Sequence, residues 1–385
     1  MSGGVLRILQ VGSTRYRGGV SAAIVGLCRA LAAEGHQVHL MGDGGDAAEA
    51  LADHGVGLST VPLESSPWWA ARGAVAVRRV LRSLEPDVVH VHGRAASLAC
   101  TLAGRFPDWF TLHNTHLTER VGWFDRGAMR RYLSPLGRRL FVLDDRAAAY
   151  CRDALGVPRW RVRCVPNGVD CDRFTPGDAA ERRRARARFR LLPQERLVLF
   201  VGRFHPQKQP EAVVRLAAAA ASRGLDHARF VLVGEGELEP VLRKHIRRAE
   251  LGSRCHLVGW SDPLDAYRAA DLLVMPSRYE GYGLVAAEAL AAGCPVLRSR
   301  TGGFEAMIAE GVTGFGCDSD PEDFVRVGLR VLRRPEVLDA MRPAAARHAR
   351  QALSVRHQAR EVVAAYRQAL APKARPRPAG AFRAG

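Results

Sequence analysis

No stretch of the 385-residue chain approaches the roughly 20 uninterrupted apolar residues that span a bilayer. The N-terminus also lacks a charged lead followed by a signal-type apolar segment, and Val5 to Gly12 reads instead as a first core strand. A cytoplasmic location is therefore expected. There is no Cys-x-x-Cys pair. The eight cysteines, at 28, 100, 151, 164, 171, 255, 294 and 317, are too sparse and unpatterned for a disulfide framework or a zinc site, and they read as small apolar fillers. Aromatic residues make up only 7% of the chain, and the Arg-rich run 182–190 contains only Phe189. Nucleic-acid binding, which interleaves basic residues with stacking rings, is not expected.

What the chain does have is positive charge, +18 net with a pI near 10.5. Such a balance favours nucleic acid, an anionic membrane surface or an anionic substrate without choosing among them. Arg far outnumbers Lys and Ala is abundant, so compositional bias is a competing account. At 47% apolar and 25% charged the composition is globular, and the length favours two domains over one.

Short apolar runs alternate with longer helical patterns, which is the signature of parallel α/β architecture. The first series of strands is predicted at 5–11, 36–41, 57–63, 87–91, 108–112, 139–143 and 161–165. A second begins afresh at 196–202, 229–234, 254–258, 271–275 and 294–298. The turn-rich segment Val165 to Asp170 separates them. The expected fold is α/β, with two Rossmann-like doubly wound domains facing each other across a cleft. An N-terminal acceptor-binding domain is expected over 1–170 and a C-terminal donor-binding domain over 171–370, whose last helix can cross back. The Pro-, Arg- and Ala-rich segment 371–385 is expected to be a disordered basic tail. Ligands of such folds bind at the carboxyl ends of the strands, so chemistry is sought just after each one.

Pro276 to Leu290 follows a strand with a turn containing Gly281, Tyr282 and Gly283, then opens a helix near Leu284. Glycine lets the backbone approach a ligand closely, and the helix N-terminus favours an anion such as a diphosphate. Glu280 precedes this helix and Glu288 lies about one turn inside it, both suited to accept from sugar or ribose hydroxyls. Gly202-Arg203 ends another strand, and Lys208 follows five residues later; two cations there can neutralise a diphosphate. Gly18-Gly19 open the helix Val20 to Ala33 without completing Gly-x-Gly-x-x-Gly. His90, His92 and His113 fall at strand ends, where neutral imidazole can position a hydroxyl. His90 and His92 also have metal-ligand spacing, but no third ligand is near and no metal is expected. Asp170-Cys171-Asp172 and Asp318-Ser319-Asp320 read as a linker and a pre-helix turn.

Glutamates eight apart around Gly-Tyr-Gly, followed by Ala-x-Gly-Cys-Pro-Val, resemble the signature of the retaining nucleotide-sugar glycosyltransferase family four, which has the GT-B fold. The resemblance covers roughly residues 5 to 365. It implies that Glu280 holds the transferred sugar, Glu288 the ribose, and Arg203 and Lys208 the donor phosphates. Gly18 and Gly19 would approach the phosphate across the cleft, and His113, ahead of His92, would line the reacting centre on the acceptor side. Gly234 and Trp260 resemble base-binding elements; Gly281 to Leu284 complete the donor loop. In Thr301 to Ala306 the family's usual Glu position is taken by Ala306, with Glu305 beside it.

The activity implied is retaining transfer of a sugar from a nucleotide diphosphate, UDP foremost, to an unidentified anionic or lipid-linked acceptor, with neither metal nor cofactor. A sugar epimerase or phosphorylase is the alternative within the fold, and a basic nucleic-acid-binding protein the one outside it. Peripheral contact with an anionic membrane at its inner face is a further expectation. It rests on Trp68-Trp69 with Arg72, Arg78, Arg79 and Arg82, and on Trp123-Phe124 with Arg126, Arg130 and Arg131.

Overall fold

The computed structural model describes residues 4–15, 18–45, 49, 51–61, 67–113 and 137–371, and only the backbone of 67–71. The first sheet contains β1 (Arg7–Gly12), β2 (Gln37–Gly42), β3 (Gly57–Thr60), β4 (Val88–His92), β5 (Trp109–Leu112), β6 (Arg139–Val142) and β7 (Val162–Cys164). The second contains β8 (Arg196–Val201), β9 (Ala228–Val233), β10 (Cys255–Val258), β11 (Leu272–Met275), β12 (Val296–Ser299) and β13 (Gly314–Cys317). Helices on both faces bury the strands, so the strands read as near-continuous apolar runs. The five residues of β4 are all buried even though two are histidines.

Strand order is β3-β2-β1-β4-β5-β6-β7 in one sheet and β10-β9-β8-β11-β12-β13 in the other, and every pairing is parallel. The order in which strands are added therefore reverses once in each sheet, between β1 and β4 and between β8 and β11, which is where doubly wound folds bind ligands. The twelve predicted strands all form, with ends shifted by up to three residues. The thirteenth, β13, was missed because Gly-Phe-Gly-Cys makes too short and too glycine-rich a run to register as a strand. Glycine is required there: a Cβ on Gly314 would lie 2.1 Å from the carbonyl oxygen of Val296.

Beyond Asp170 the chain enters the second sheet, and it returns near Leu353, where Val169 and Ser354 form a bridge. Ala345 and Ala349, in the helix Pro335–Ala352, pack in the core of the second sheet. In the next helix, Val355–Leu370, residues Ala359, Val362 and Tyr366 pack against Ile24, Leu31 and Phe141 of the first. All eight cysteines are free, six of them buried. Part of the arginine excess is structural: Arg182, Arg186 and Arg196 converge on Asp271, which is 1% exposed. Among the described residues no helix is long and apolar enough to cross a membrane. The expected basic tail beyond 371, the side chains of Trp68 and Trp69, and the whole Trp123–Arg131 segment lie outside the described residues.

Candidate active site

Lys208 follows β8 in a tight turn ahead of the helix Pro210–Ala221, and Glu280 follows β11, the neighbouring strand across the switch point. Their side chains meet, with Lys208 Nζ donating to Glu280 Oε1 at 2.5 Å. Glu280 is buried, which alone would raise its pKa. That burial penalty is the largest single influence, but the Lys208 ammonium, joined by Ser277 and the Arg298 guanidinium, pulls the carboxyl below its ordinary value. Arg203 stands exposed, with no ion-pair partner among the described residues.

Gly283 caps the helix Leu284–Ala291 in the left-handed conformation (φ 92°), so the chain turns sharply enough to present that helix's N-terminus. Glu288, in this helix, accepts a 2.8 Å hydrogen bond from the hydroxyl of fully buried Tyr267. Burial pushes the Glu288 carboxyl up to about 7, although the Tyr267 hydrogen bond works the other way. Tyr282 is also buried, and its hydroxyl has no partner among the described residues. After β9, Gly234 lies directly against the backbone of Gly202. Trp260, just after β10, is 41% exposed, and its backbone N–H donates to Glu235 Oε1 at 3.3 Å.

The raised Glu288 pKa makes a stability prediction. The folded carboxyl keeps its proton to about 7, whereas the unfolded one loses it near the ordinary value of 4.5. Between those limits the folded state binds more protons, so stability falls as pH rises and levels off above them. The thermal midpoint of wild type is expected to drop from about pH 5 to 7.5 more steeply than that of Glu288→Gln, which cannot titrate. Equal slopes by calorimetry would remove the assignment.

On the opposite wall Gly19 starts the helix Gly19–Ala33, and a Cβ there would touch Leu284 of the helix Leu284–Ala291 at 3.9 Å. Gly18 is extended (φ 178°) with open space around it. The two glycines thus differ: only Gly19 faces the second sheet closely. His92 and His113 come together, Nδ1 to Nε2 at 2.9 Å, and His92 Nε2 lies 2.7 Å from Gln10 Oε1. His90 is tied to Tyr366 and Thr111 through both ring nitrogens. Burial lowers all three histidines, His90 to about 3 and His113 to about 4, so all are neutral at pH 7.

Sequence reasoning missed two residues of the site. Arg298, within β12, is fully buried; its guanidinium donates to the carbonyls of Tyr282 at 3.1 Å and Gly302 at 2.6 Å, tying two glycine loops together. A lone Arg in a strand pattern carries no signal of this. Asp144, at the end of β6, caps the next helix through Ala147 N–H and also accepts from Gly303 N–H at 2.7 Å, joining the two sheets' loops across the cleft. Its capping position was legible; its second partner, 159 residues away, was not. Of the Asp-x-Asp pairs, Asp320 caps the helix Pro321–Leu332 and Asp170 closes a local turn.

Two doubly wound domains, with cations and glycine loops at the carboxyl ends of the second sheet, define the GT-B class. The description "glycosyl transferases group 1" matches residues 181–348, and "glycosyltransferase family 4" matches residues 17–173. The D-inositol 3-phosphate glycosyltransferase of Actinosynnema mirum is 32% identical over 307 residues, covering 74% of this chain and 72% of that protein. D-inositol 3-phosphate glycosyltransferase 2 of Catenulispora acidiphila is 35% identical over 223 residues, or 55% of this chain and 52% of that protein. Across several such curated relatives the chain spans about half the length of the protein it matches. The chain belongs to glycosyltransferase family 4. Its fold is shared with Anabaena HepE, solved with UDP and glucose (TM-score 0.78, 17% identity, 94% of this chain and 100% of that one). It is also shared with sucrose-phosphate synthase of Thermosynechococcus elongatus (TM-score 0.76, 22% identity, 94% and 98%).

Proposed function

We propose that the chain transfers a sugar, with retention of anomeric configuration, from a nucleotide diphosphate donor to a phosphorylated polyol. The observation that carries this reading is the buried Lys208–Glu280 pair beside the Gly283-capped helix N-terminus. That arrangement offers a carboxylate for sugar hydroxyls and, within a few residues, a cation and free N–H groups for phosphate. Exposed Arg203 adds a second, forked cation. Glu288 takes the ribose hydroxyls, Trp260 offers a face for the base, and Gly234 lets that loop approach closely.

As the glycosidic bond breaks, negative charge grows on the departing diphosphate, and Arg203, Lys208 and the helix N–H groups stabilise it more than they stabilise the bound donor. The departing phosphate takes the proton of the attacking hydroxyl. The hydrogen bond from Gly303 to Asp144 draws the two domains together and excludes water during transfer. An acceptor phosphate suits a chain of +18 net charge and agrees with the names of the curated relatives.

The test is incubation with a panel of nucleotide sugars, UDP-glucose first, with inositol 3-phosphate as acceptor and with EDTA present. A product of the expected mass that keeps the donor's configuration by NMR is the expected result. Hydrolysis without transfer, inversion, or loss of activity in EDTA restored by manganese would overturn it. The lipid-linked alternative, with the protein at the inner membrane face, is favoured by Val75, Leu98 and Leu102, which stand exposed on two neighbouring helices. Flotation with anionic vesicles at low salt, coupled to failure on the soluble acceptor, would select it.

A further inference from the structure

Five hydrogen bonds link buried groups from the first strand, two neighbouring strands and the last helix of the chain. Gln10 Oε1 faces His92 Nε2 at 2.7 Å, and Gln10 Nε2 faces the Tyr366 hydroxyl at 3.2 Å. Tyr366 reaches His90 Nδ1 at 2.7 Å, and His90 Nε2 reaches Thr111 Oγ1 at 2.6 Å. His92 Nδ1 meets His113 Nε2 at 2.9 Å, while His113 Nδ1 is buried with no partner among the described residues.

The amide of Gln10 gives the chain a direction. An amide oxygen carries no hydrogen, so His92 Nε2 must donate to it. A neutral imidazole has one N–H, which leaves His92 Nδ1 bare and able only to accept from His113 Nε2. His113 is then bare at Nδ1. On the other side the Gln10 NH₂ donates to the Tyr366 oxygen, and the Tyr366 hydroxyl is free to donate to His90 Nδ1. His90 in turn donates through Nε2 to Thr111.

We propose that Gln10 and Tyr366 are positioning residues that fix His113 as its Nε2–H tautomer, leaving Nδ1 as a hydrogen-bond acceptor for a second hydroxyl of the polyol, beside the one that receives the sugar. The tautomer follows from the network alone; its service to a hydroxyl rests on the transfer reading above. Burial that keeps all three imidazoles neutral supports it, since a cationic ring would donate from both nitrogens. So does the reach of the network: the last helix, 356 residues from Gln10 in sequence, takes part in orienting a group at the end of β5.

The experiment is long-range proton–nitrogen NMR on the full chain labelled with ¹⁵N-histidine at neutral pH, with His113 assigned from a His113→Gln variant. The expected spectrum shows His113 protonated at Nε2 and bare at Nδ1. Protonation at Nδ1 would overturn the proposal. In Gln10→Met the directing oxygen is gone, so His92 and His113 should show both tautomers, and kcat should fall about tenfold with the donor KM within about twofold. An unchanged tautomer in a folded Gln10→Met would overturn the role of Gln10.

Tyr366→Phe covers the case in which Gln10→Met does not fold. It stays neutral and removes the oxygen to which the Gln10 NH₂ donates, so the amide is free to turn over and His113 should show both tautomers. An unchanged single tautomer in folded Tyr366→Phe would overturn the role of Tyr366. If no nucleotide sugar is turned over, the transfer reading fails while the spectra still decide the tautomer.

Discussion

Lys208→Met is expected to destabilise the protein by about 3 to 5 kcal/mol, the range for breaking a buried ion pair from one side, and to lower transfer at least tenfold. The stability loss comes from Glu280 more than from Lys208. The carboxylate is 7% exposed and the ammonium 21%, so removing the cation strands a charge that water cannot reach. The double variant Lys208→Met/Glu280→Gln removes that stranded charge and should recover most of the stability, because a buried pair and its neutral replacement differ little. It should not recover transfer if, as proposed, Lys208 meets the diphosphate and Glu280 the sugar. Urea unfolding of the two variants, with initial rates beside it, separates the effects. A double variant as unstable as the single one would show that Glu280 is not what Lys208 neutralises. Full activity in either would remove Lys208 from the diphosphate site.

The placement of Lys208 and Glu280 beside the switch point is legible in the sequence for a physical reason. A doubly wound sheet delivers its ligand groups just after its strands, and strands buried on both faces stand out as short continuous apolar runs. Lys208 and Glu280 stand shortly after β8 and β11, whereas Glu288 lies inside a helix, and the roles expected of all three are what the family resemblance implies. What connects those residues was not legible. Arg298 sits inside a strand pattern and acts on carbonyls at Tyr282 and Gly302, which are brought to it by two separate turns. Asp144 shows its helix-capping role locally, but its bond to Gly303 depends on how the two domains face each other. Gln10 in β1 looks like a stray polar residue in an apolar run, and only the return of the last helix with Tyr366 explains why it is buried. β13 failed for the opposite reason: its glycines lower its apolar signal, yet they are what admits it beside β12.

Gly234→Ala is expected to be among the most damaging single-methyl changes in the C-terminal domain. An added Cβ would lie 2.0 Å from the carbonyl oxygen of Gly202 and 3.0 Å from its carbon, both backbone atoms with no rotamer to yield. The backbone at Gly234 also sits at φ +150°, which L-residues with a side chain rarely adopt. Strain and overpacking each cost about 1 to 3 kcal/mol, so a combined loss of about 3 kcal/mol or more is expected. Relief requires the β8 and β9 end loops to part, and those loops carry Arg203 and Glu235, so under the proposed function nucleotide diphosphate affinity should fall with stability. Gly18→Ala is the contrasting change: extended backbone and open space around the Cβ position predict a stability within about 0.5 kcal/mol of wild type. If Gly18→Ala nevertheless weakens donor binding by calorimetry, the space beside Gly18 is ligand space and the N-terminal glycines reach the donor. If Gly234→Ala unfolds at the wild-type urea midpoint and binds nucleotide normally, the two loops do not pack as closely as the Gly202–Gly234 contact requires.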